Sequence, residues 1–196
     1  MDSNDQLQKI ERYVYQLFSD DSTGHDYFHM KRVARMTREI SLSEAADEFI
    51  CEAAAWLHDV GDKKLFANTN KAIDEMNQFL KSIQLTEIQI EKIHQAIQDV
   101  SFSKGNIPKT LEGKIVQDAD RLDAIGAIGI ARTFAYGGAN KQLIYHDEMK
   151  DHTSIQHFHD KLLKLKGLMH TPTAIRMAKE RHVFLENYLQ QFLNEW

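Results

Sequence analysis

The stretch ICEAAAWLHDVG, residues 50–61, decides the fold prediction because it is apolar on almost every side. An Ala-rich helix of this kind is expected at the centre of a protein, packed against neighbours all round. Gly61 stands where a left-handed residue would end the helix, just after His58 and Asp59. A carboxylate at the end of a buried helix is costly unless it meets a cation. The pair is therefore either a metal-binding pair or a core histidine beside a salt-bridged aspartate.

A second group of buried acids is predicted in GKIVQDADRLDAIGAIGIA, residues 113–131. The spacing predicts one helix that is apolar on most sides, although it carries Asp118, Asp120, Asp123 and Arg121. Asp120 and Asp123 lie three residues apart and share a face of that helix. Two like charges buried side by side would push at least one carboxyl pKa strongly upward. We therefore expect a metal ion or a basic side chain beside them, and a network of aspartates and arginines that joins helices is the alternative.

Helical periodicity continues on both sides of these two stretches. Apolar residues recur every three or four positions at residues 4–18, 26–40 and 175–192, and at residues 44–58, which extend the first stretch towards the N-terminus. Three spacings are typical of helix starts, namely Ser41 with Glu44, Thr86 with Gln89, and Thr171 before Pro172. We predict an all-α, single-domain protein of about nine or ten helices over residues 1–196. Its core is expected in residues 20–130 and its C-terminal helices in residues 150–195.

The composition indicates a soluble globular protein. The chain has 196 residues, with 24 basic against 29 acidic side chains and a formal net charge of −5. No segment approaches the roughly 20 consecutive apolar residues of a membrane span, and the acidic start does not resemble a signal peptide. Cys51 is the only cysteine, which excludes an intrachain disulfide and a thiolate metal cluster. We therefore expect a cytoplasmic protein that binds neither a membrane nor nucleic acid.

The dipeptide His-Asp occurs in several places along the chain. The pairs are His25-Asp26, His58-Asp59, His146-Asp147 and His159-Asp160. A neutral nitrogen beside a charged oxygen suits Mn, Fe, Co, Ni or Zn better than Ca or Mg. The last two pairs are predicted to be solvated surface groups, whereas Asp26 is a natural N-cap for the helix that follows. His29 lies in the first turn of that helix, where a histidine is either a ligand or an ordinary hydrogen-bonding residue.

These residues resemble the pattern of the HD superfamily of metal-dependent phosphohydrolases. The resemblance covers roughly residues 5–195 and is carried by TGHDYFHMKRV (23–33), AAWLHDVGDKK (54–64), VSFSKG (100–105), VQDADRLDAIGAIGIAR (116–132) and HFHDKLLKLKGLMHTPTAIRMAKERH (157–182). The chain looks most like the small stand-alone bacterial members. The resemblance implies a helical HD fold whose metal ligands are His29, His58, Asp59 and Asp120. It favours Asp120 over Asp123 because the last aspartate of the superfamily matches the Ala-Asp-x-Leu run.

This chain departs from the superfamily pattern at two places, which bear on the number of metal ions and on the activity to expect. Members with two metal ions carry further histidine ligands between the dyad and the last aspartate, where this chain has only His94. One divalent transition metal is therefore expected, with Mn as the first choice and Co, Ni, Fe or Zn as alternatives. Alarmone hydrolases carry Glu-Asp three and four residues after the dyad, whereas this chain carries Asp62 and Lys63. Alarmone hydrolysis is therefore not expected.

The resemblance also implies roles for residues around the ligands. Asp62 matches in position the acid that other HD nucleotidases use beside the attacking water. We expect it to be a general base or a water-positioning group, and a turn residue after Gly61 is the alternative. His25 is expected to touch the substrate, while Asp26 and Asp123 are expected to support the ligand histidines from behind.

Phosphate groups require local positive charge, which an acidic chain must supply from particular residues. The candidates are Arg32, Lys63, Lys64, Lys104 and Arg121. For each lysine the alternative is a solvated surface position. For Arg121 the alternative is a salt bridge to Asp118.

Hydrolysis of a nucleotide is the activity that the resemblance implies. The most similar members point to cleavage of nucleoside triphosphates, NTP or dNTP, into a monophosphate and pyrophosphate. One alternative is phosphomonoesterase activity on nucleoside monophosphates, and another is a metal-containing protein that senses nucleotides without turnover. The long C-terminal helix could either close the core or pair with a second copy in a homodimer.

Overall fold

The computed structural model describes residues 2–19, 25–101, 105–148 and 151–196. Within these ranges the chain is helical and contains no β-strand. The first seven helices are α1 (Ser3–Phe18), α2 (Tyr27–Glu44), α3 (Glu48–Leu57), α4 (Thr69–Ser82), α5 (Glu87–Ile97), α6 (Leu111–Asp123) and α7 (Gly126–Ala139). The predicted all-α class is therefore confirmed.

The remaining helical residues form two segments. The first consists of α8 (Ser154–His157), a π-helix (Phe158–Leu162), α9 (Leu163–Leu165) and a 3₁₀ turn (Lys166–Leu168). The second is α10 (Pro172–Glu195). When residues 154–168 are counted as one helix, the described part of the chain has nine helices, which agrees with the prediction.

Helix α3 lies at the centre of the molecule, as its sequence predicts. Seven of its ten residues are buried, and α1, α2, α5 and α6 pack against it. Its three consecutive alanines, Ala53 to Ala55, are fully buried and let these neighbours approach closely because their side chains are small. None of the described helices combines the length and the apolar character needed to cross a membrane.

Two of the three predicted helix starts are confirmed. Thr86 and Gln89 form a capping box at the start of α5, and Thr171 caps α10 with Pro172 at the first helical position. The start predicted at Ser41 was wrong, because this residue lies inside the last turns of α2. Its hydroxyl donates a hydrogen bond to a backbone carbonyl one turn earlier, which is a common alternative to capping for serine.

The helix predicted over residues 113–131 is interrupted, which corrects the sequence interpretation. Helix α6 ends at Asp123 and α7 begins at Gly126. Gly126 adopts a left-handed conformation with φ of +77°, which a continuous right-handed helix does not allow. A Cβ at this position would lie 3.1 Å from Cγ of Arg181 on α10, and α7 packs against that helix. The break therefore leaves Asp123 at a helix end.

Replacement of Gly126 tests whether the break requires a left-handed residue. We expect Gly126→Ala to lower the free energy of unfolding by about 1–2 kcal/mol, because an L-residue is strained at positive φ. Gly138→Ala is the matched control, since Gly138 lies in the same helix and a Cβ there would meet no atom within 4 Å. Urea unfolding measures both changes. An unaltered stability of Gly126→Ala would contradict this explanation of the break.

Candidate metal centre

The four predicted metal ligands lie together in the structure. His29 is in the first turn of α2, His58 and Asp59 directly follow α3, and Asp120 is in the last turn of α6. Nε2 of His29 lies 3.8 Å from Oδ2 of Asp59 and 3.5 Å from Oδ1 of Asp120. Nε2 of His58 lies 3.6 Å from Oδ1 of Asp59 and 3.8 Å from Oδ1 of Asp120. Three helices thus bring two imidazoles and two carboxylates to one point.

Each of the two histidines presents Nε2 to this point because its Nδ1 is held elsewhere. Nδ1 of His29 lies 2.8 Å from Oδ2 of Asp123, and Nδ1 of His58 lies 2.7 Å from the carbonyl oxygen of Ala55. Both partners accept hydrogen bonds, so Nδ1 is assigned the proton in each neutral ring and Nε2 presents its lone pair. Both Nε2 atoms are buried and have no hydrogen-bond partner among the described residues.

We call His29, His58, Asp59 and Asp120 the acceptor cluster, because lone pairs and negative charge meet there. The separations of 3.5–3.8 Å between Nε2 and carboxylate oxygens exceed ordinary hydrogen-bond lengths. Two ligand atoms that are each about 2.1 Å from one tetrahedral ion are roughly 3.4 Å apart. Two imidazoles with two carboxylates are also a donor set that Mn, Fe, Co, Ni and Zn accept. The residues present therefore fit a divalent transition metal.

The pKa shifts in the acceptor cluster follow from the same arrangement. Burial lowers the pKa of His29, which favours its neutral form. Burial acts in the same direction on His58, but the carboxylates of Asp59 and Asp120 outweigh it and raise that pKa. Burial opposes ionisation of Asp59, yet the nearby His58 and the hydrogen bond from His25 hold its pKa well below its usual range. The cluster therefore concentrates negative charge that a cation would neutralise.

His25 adds a third imidazole at the edge of the acceptor cluster. Its Nδ1 lies 2.9 Å from Oδ2 of Asp59, and its side chain is 42% exposed. His25, His29 and Asp59 form a second group whose ligand atoms lie close enough to hold an ion. His25 is predicted from the sequence to touch the substrate, and its contact with Asp59 is not predicted there. Asp26 caps α2 as predicted, and its carboxylate accepts a hydrogen bond from the backbone N–H of His29 at 2.7 Å.

Asp123 lies behind His29 and is surrounded by cations. Its Oδ1 accepts a hydrogen bond from Arg32 at 2.7 Å, and its Oδ2 accepts others from Arg32 and Arg132 at 3.0 and 2.7 Å. Burial opposes ionisation of Asp123, but the hydrogen bonds from His29 and Arg32 hold its pKa well below its usual range. The aspartate–arginine network considered from the sequence therefore describes Asp123, whereas Asp120 faces imidazoles. Arg32, which the sequence analysis assigned to phosphate, is engaged by this carboxylate.

Asp118 and Arg121 are both turned towards the segment that precedes α10. Asp118 accepts hydrogen bonds from the backbone N–H groups of His170 and Thr171, at 2.9 and 2.8 Å, and from the Thr171 hydroxyl at 2.8 Å. Arg121 donates a hydrogen bond to the carbonyl of Leu168, and its Nη1 lies 3.1 Å from Nε2 of His170. The two residues therefore do not form the salt bridge considered for them, and Arg121 is occupied by structural contacts rather than facing open solvent.

A cavity of about 770 Å³ opens beside His58. Part of its wall is apolar, with Val60, Ile73 and Ile97. His94 also lines it, and its Nε2 lies 2.6 Å from the side-chain oxygen of Asn77 on α4. This histidine therefore contacts α4 and belongs to the cavity wall, while the acceptor cluster draws its imidazoles from α2 and α3. The cavity therefore borders the acceptor cluster at His58.

Charged candidates from the sequence also line this cavity. Asp62, Lys63 and Lys64 all contribute to its wall. Asp62 at the same time accepts a hydrogen bond from the backbone N–H of Lys64 at 2.8 Å, so it also stabilises the turn after Gly61. Lys104, the remaining predicted phosphate ligand, lies outside the described residues.

Two cations near the acceptor cluster were not singled out from the sequence. Lys161 lies on the π-helical turn, where burial lowers its pKa and the charges of Asp120 and Lys64 act on it. Turns of this kind are frequent at functional sites but have no clear sequence signature.

Arg132 is the second of these cations. On one straight helix, nine residues would separate it from Asp123 by about 13 Å along the axis. The break before α7, which the apolar spacing of residues 113–131 does not predict, brings them into contact.

The remaining His-Asp pairs lie at the surface, as the sequence predicts. His159 and Asp160 are exposed. Asp147 is also exposed and accepts a hydrogen bond from the indole N–H of Trp196 at 3.1 Å. His146 is partly exposed and accepts a hydrogen bond from a neighbouring backbone N–H. These pairs therefore serve as comparisons for the buried pair at residues 58 and 59.

Known proteins are similar to this chain in sequence and in the arrangement of their helices. The family model described as HD domain matches residues 26–125. Over 190 residues the chain is 40% identical to the uncharacterized protein YpgQ of Bacillus subtilis (strain 168). The aligned residues cover 95% of this chain and 91% of YpgQ. The similarity therefore extends well beyond the matched domain.

Solved structures are similar over the full described fold. Bacillus subtilis YpgQ in complex with ADP has a TM-score of 0.88 and 37% identity, covering 100% of this chain and 97% of the other. An HD-superfamily hydrolase from Bacillus thuringiensis has a TM-score of 0.84 and 38% identity, covering 100% and 98%. With two buried imidazoles and two carboxylates in place, the chain belongs to the HD-domain family and is a metal-dependent phosphohydrolase.

Proposed function

We propose that this chain hydrolyses nucleoside triphosphates, NTP or dNTP, to a monophosphate and pyrophosphate at one divalent transition metal. The observation that carries the proposal is that two buried imidazole nitrogens face two carboxylates with no hydrogen-bond donor between them in the described structure. His29, His58, Asp59 and Asp120 would hold the ion. We propose Mn, while Co, Ni, Fe and Zn accept the same donor set.

The chain's hydrogen bonds would keep the metal ligands in position. When bound, the ion would act as a Lewis acid on water and on the phosphoryl group. Asp123 and the carbonyl of Ala55 hold the two imidazoles so that Nε2 faces the carboxylates. His25 holds one oxygen of Asp59. Supporting contacts of this kind orient ligands and are typically needed for full metal affinity.

The cavity and one relative support a nucleotide as the substrate. The cavity volume of about 770 Å³ falls within the roughly 300–1,000 Å³ that is usual for small-molecule sites. Val60, Ile73 and Ile97 offer an apolar surface for a base. YpgQ has been solved in complex with ADP and is 37% identical to this chain. Together these observations favour a nucleotide over a simple phosphate ester.

Three lysines would supply the positive charge that the phosphates require. Phosphoryl transfer depends mainly on positioning and on neutralising charge. Lys63 and Lys64 line the cavity, and Lys161 lies in the electrostatic field of Asp120. We assign the phosphates to these lysines because Arg32 and Arg121 are engaged by Asp123 and by the segment before α10.

Asp62 is the residue that we propose as general base or water-positioning group. It lies on the same cavity wall as His58, within the loop that follows the buried dyad. Its hydrogen bond with the backbone N–H of Lys64 would hold the carboxylate in one orientation. The turn role and the catalytic role are therefore compatible in one side chain.

Metal binding can be measured without turnover. We expect Mn²⁺ to raise the thermal unfolding midpoint of EDTA-treated protein, since an ion at 100 times its Kd stabilises by about 2.7 kcal/mol. The double variant His58→Ala/Asp59→Ala should lose this shift. The matched control is His146→Ala/Asp147→Ala, which removes the same dipeptide from the surface and should keep it. Equal shifts in the two double variants would contradict the proposed ligands.

The reaction can be identified from its products in a Mn²⁺-supplemented screen of NTPs, dNTPs and nucleoside monophosphates. We expect a triphosphate to yield its monophosphate and pyrophosphate, and His58→Ala/Asp59→Ala to be inactive because it lacks two ligands. Release of orthophosphate from a monophosphate would instead identify a phosphomonoesterase. Nucleotide binding in Mn²⁺ with no product would identify a sensor, and full activity of the double variant would move the chemistry elsewhere.

The role of Asp62 can be separated from its turn. Asp62→Asn keeps a side-chain oxygen that accepts the hydrogen bond from Lys64, but it removes the basic carboxylate. We expect kcat to fall by about 10²–10⁴-fold, as is typical for loss of a general base. The Mn²⁺-induced thermal shift should stay at the wild-type value. An unchanged kcat would restrict Asp62 to the turn.

A further inference from the structure

A second, smaller cavity of about 210 Å³ lies at Asp123. Its wall is formed by residues of α2, of the break between α6 and α7, and of α10. None of the described residues that line it belongs to the acceptor cluster. Asp123 lies between this cavity and the acceptor cluster. Its carboxylate holds Nδ1 of His29, while Nε2 of the same ring faces the other cluster side chains.

Positive charge dominates the wall of this cavity. Arg32, Arg35 and Arg181 all line it, and Asp123 is the one carboxylate among the described lining residues. That carboxylate already accepts hydrogen bonds from one imidazole and two guanidinium groups. It is therefore not available to neutralise the other arginines at close range.

Arg35 and Arg181 lack a close anionic partner. In the described parts of the chain, no carboxylate lies within 4.0 Å of either guanidinium. Arg181 is half-buried and donates a hydrogen bond to the carbonyl of Leu122, while Asp123 and Glu39 act on it only at longer range. Guanidinium groups gathered around a small cavity repel one another, and an anion between them would relieve that repulsion.

The first turn of α7 adds backbone donors beside the same cavity. Helix α7 begins at Gly126, and Ile125 before it provides no side-chain cap. Gly126 and the next two residues line the cavity, and N–H groups in a first helical turn have no partner within the helix. Guanidinium forks pair with the oxygens of phosphate in a bidentate manner, and helix N-termini add further donors.

We propose that this cavity binds a phosphoryl group, as an anion site separate from the metal centre. Its volume of about 210 Å³ lies below the roughly 300–1,000 Å³ of typical small-molecule sites. The phosphoryl group itself would therefore occupy the cavity, and any attached nucleoside would lie outside it. Orthophosphate and the phosphate of a nucleoside monophosphate offer the same chemistry to Arg35 and Arg181, the lining arginines that lack a close carboxylate. The site does not depend on the reaction proposed above.

Calorimetric titration with inorganic phosphate in EDTA tests this site, because without metal ions the acceptor cluster repels anions. The ionic strength is matched with NaCl, so that general screening is the same in every titration. We expect saturable binding that Arg35→Gln and Arg181→Gln each weaken about tenfold or more, since each removes a charge-assisted hydrogen bond. A parallel titration with adenosine monophosphate distinguishes the two sources. Arginine-dependent binding of that nucleotide would extend the site to nucleotide phosphates, and phosphate binding alone would restrict it to the free ion.

Two control variants keep the test decisive. Arg38→Gln removes an exposed arginine of α2 that does not line the cavity, and it should bind phosphate like the wild type. His58→Ala/Asp59→Ala should also keep phosphate binding, which separates this site from the proposed function. If Arg181→Gln does not fold, the exposed Arg35→Gln decides the question. Absent binding, wild-type affinity of Arg35→Gln, or loss of binding in the metal-site variant would each overturn the proposal.

Discussion

Buried acceptors that face one another without a donor are the constraint on which the rest of this structure depends. Each unpartnered Nε2 atom costs about 1–3 kcal/mol in the absence of an ion, and the two carboxylates add repulsion. The fold tolerates this because His58 and Asp59 follow α3, which is buried on almost every side. The two imidazoles therefore cannot relax into solvent, because their side chains are only 0% and 2% exposed. The packed core keeps these four side chains close together, where a cation would stabilise them. This arrangement lowers the stability of the metal-free protein.

Hydrogen-bond donors and acceptors alternate behind the His29 ligand. The imidazole of His29 lies between the cluster carboxylates and Asp123. Asp123 in turn lies between that imidazole and the guanidiniums of Arg32 and Arg132. Each group is stabilised by the one behind it, so the tautomer of His29 depends on Asp123 and on the guanidinium groups that hold Asp123. The arginine-lined cavity continues the same series. An anion bound there would neutralise Arg35 and Arg181, which line the cavity and have no carboxylate within 4.0 Å in the described parts of the chain.

Sequence patterns predicted the elements whose signals are local. The apolar run of α3, the capping box at Thr86 and the proline start at Thr171 each follow from a few neighbouring residues, and all agree with the structure. The serine at position 41 has the spacing of a helix start, but its hydroxyl bonds within α2 because the helix continues past it. The contact between His25 and Asp59 joins residues 34 positions apart, and no local pattern encodes such a distance.

Asp120 and Asp123 show what the periodicity of a sequence can and cannot predict. They lie on one helix, three residues apart, so their spacing predicts that both need cations but not which cation each receives. The difference comes from the neighbouring elements, since the helices α2 and α3 present imidazoles to Asp120, while α2 and α7 present guanidiniums to Asp123. Arg132 reaches Asp123 because the chain turns at Gly126. A left-handed glycine outside the centre thus helps to satisfy Asp123 with arginines, and it leaves Asp120 as the acid that faces the two imidazoles.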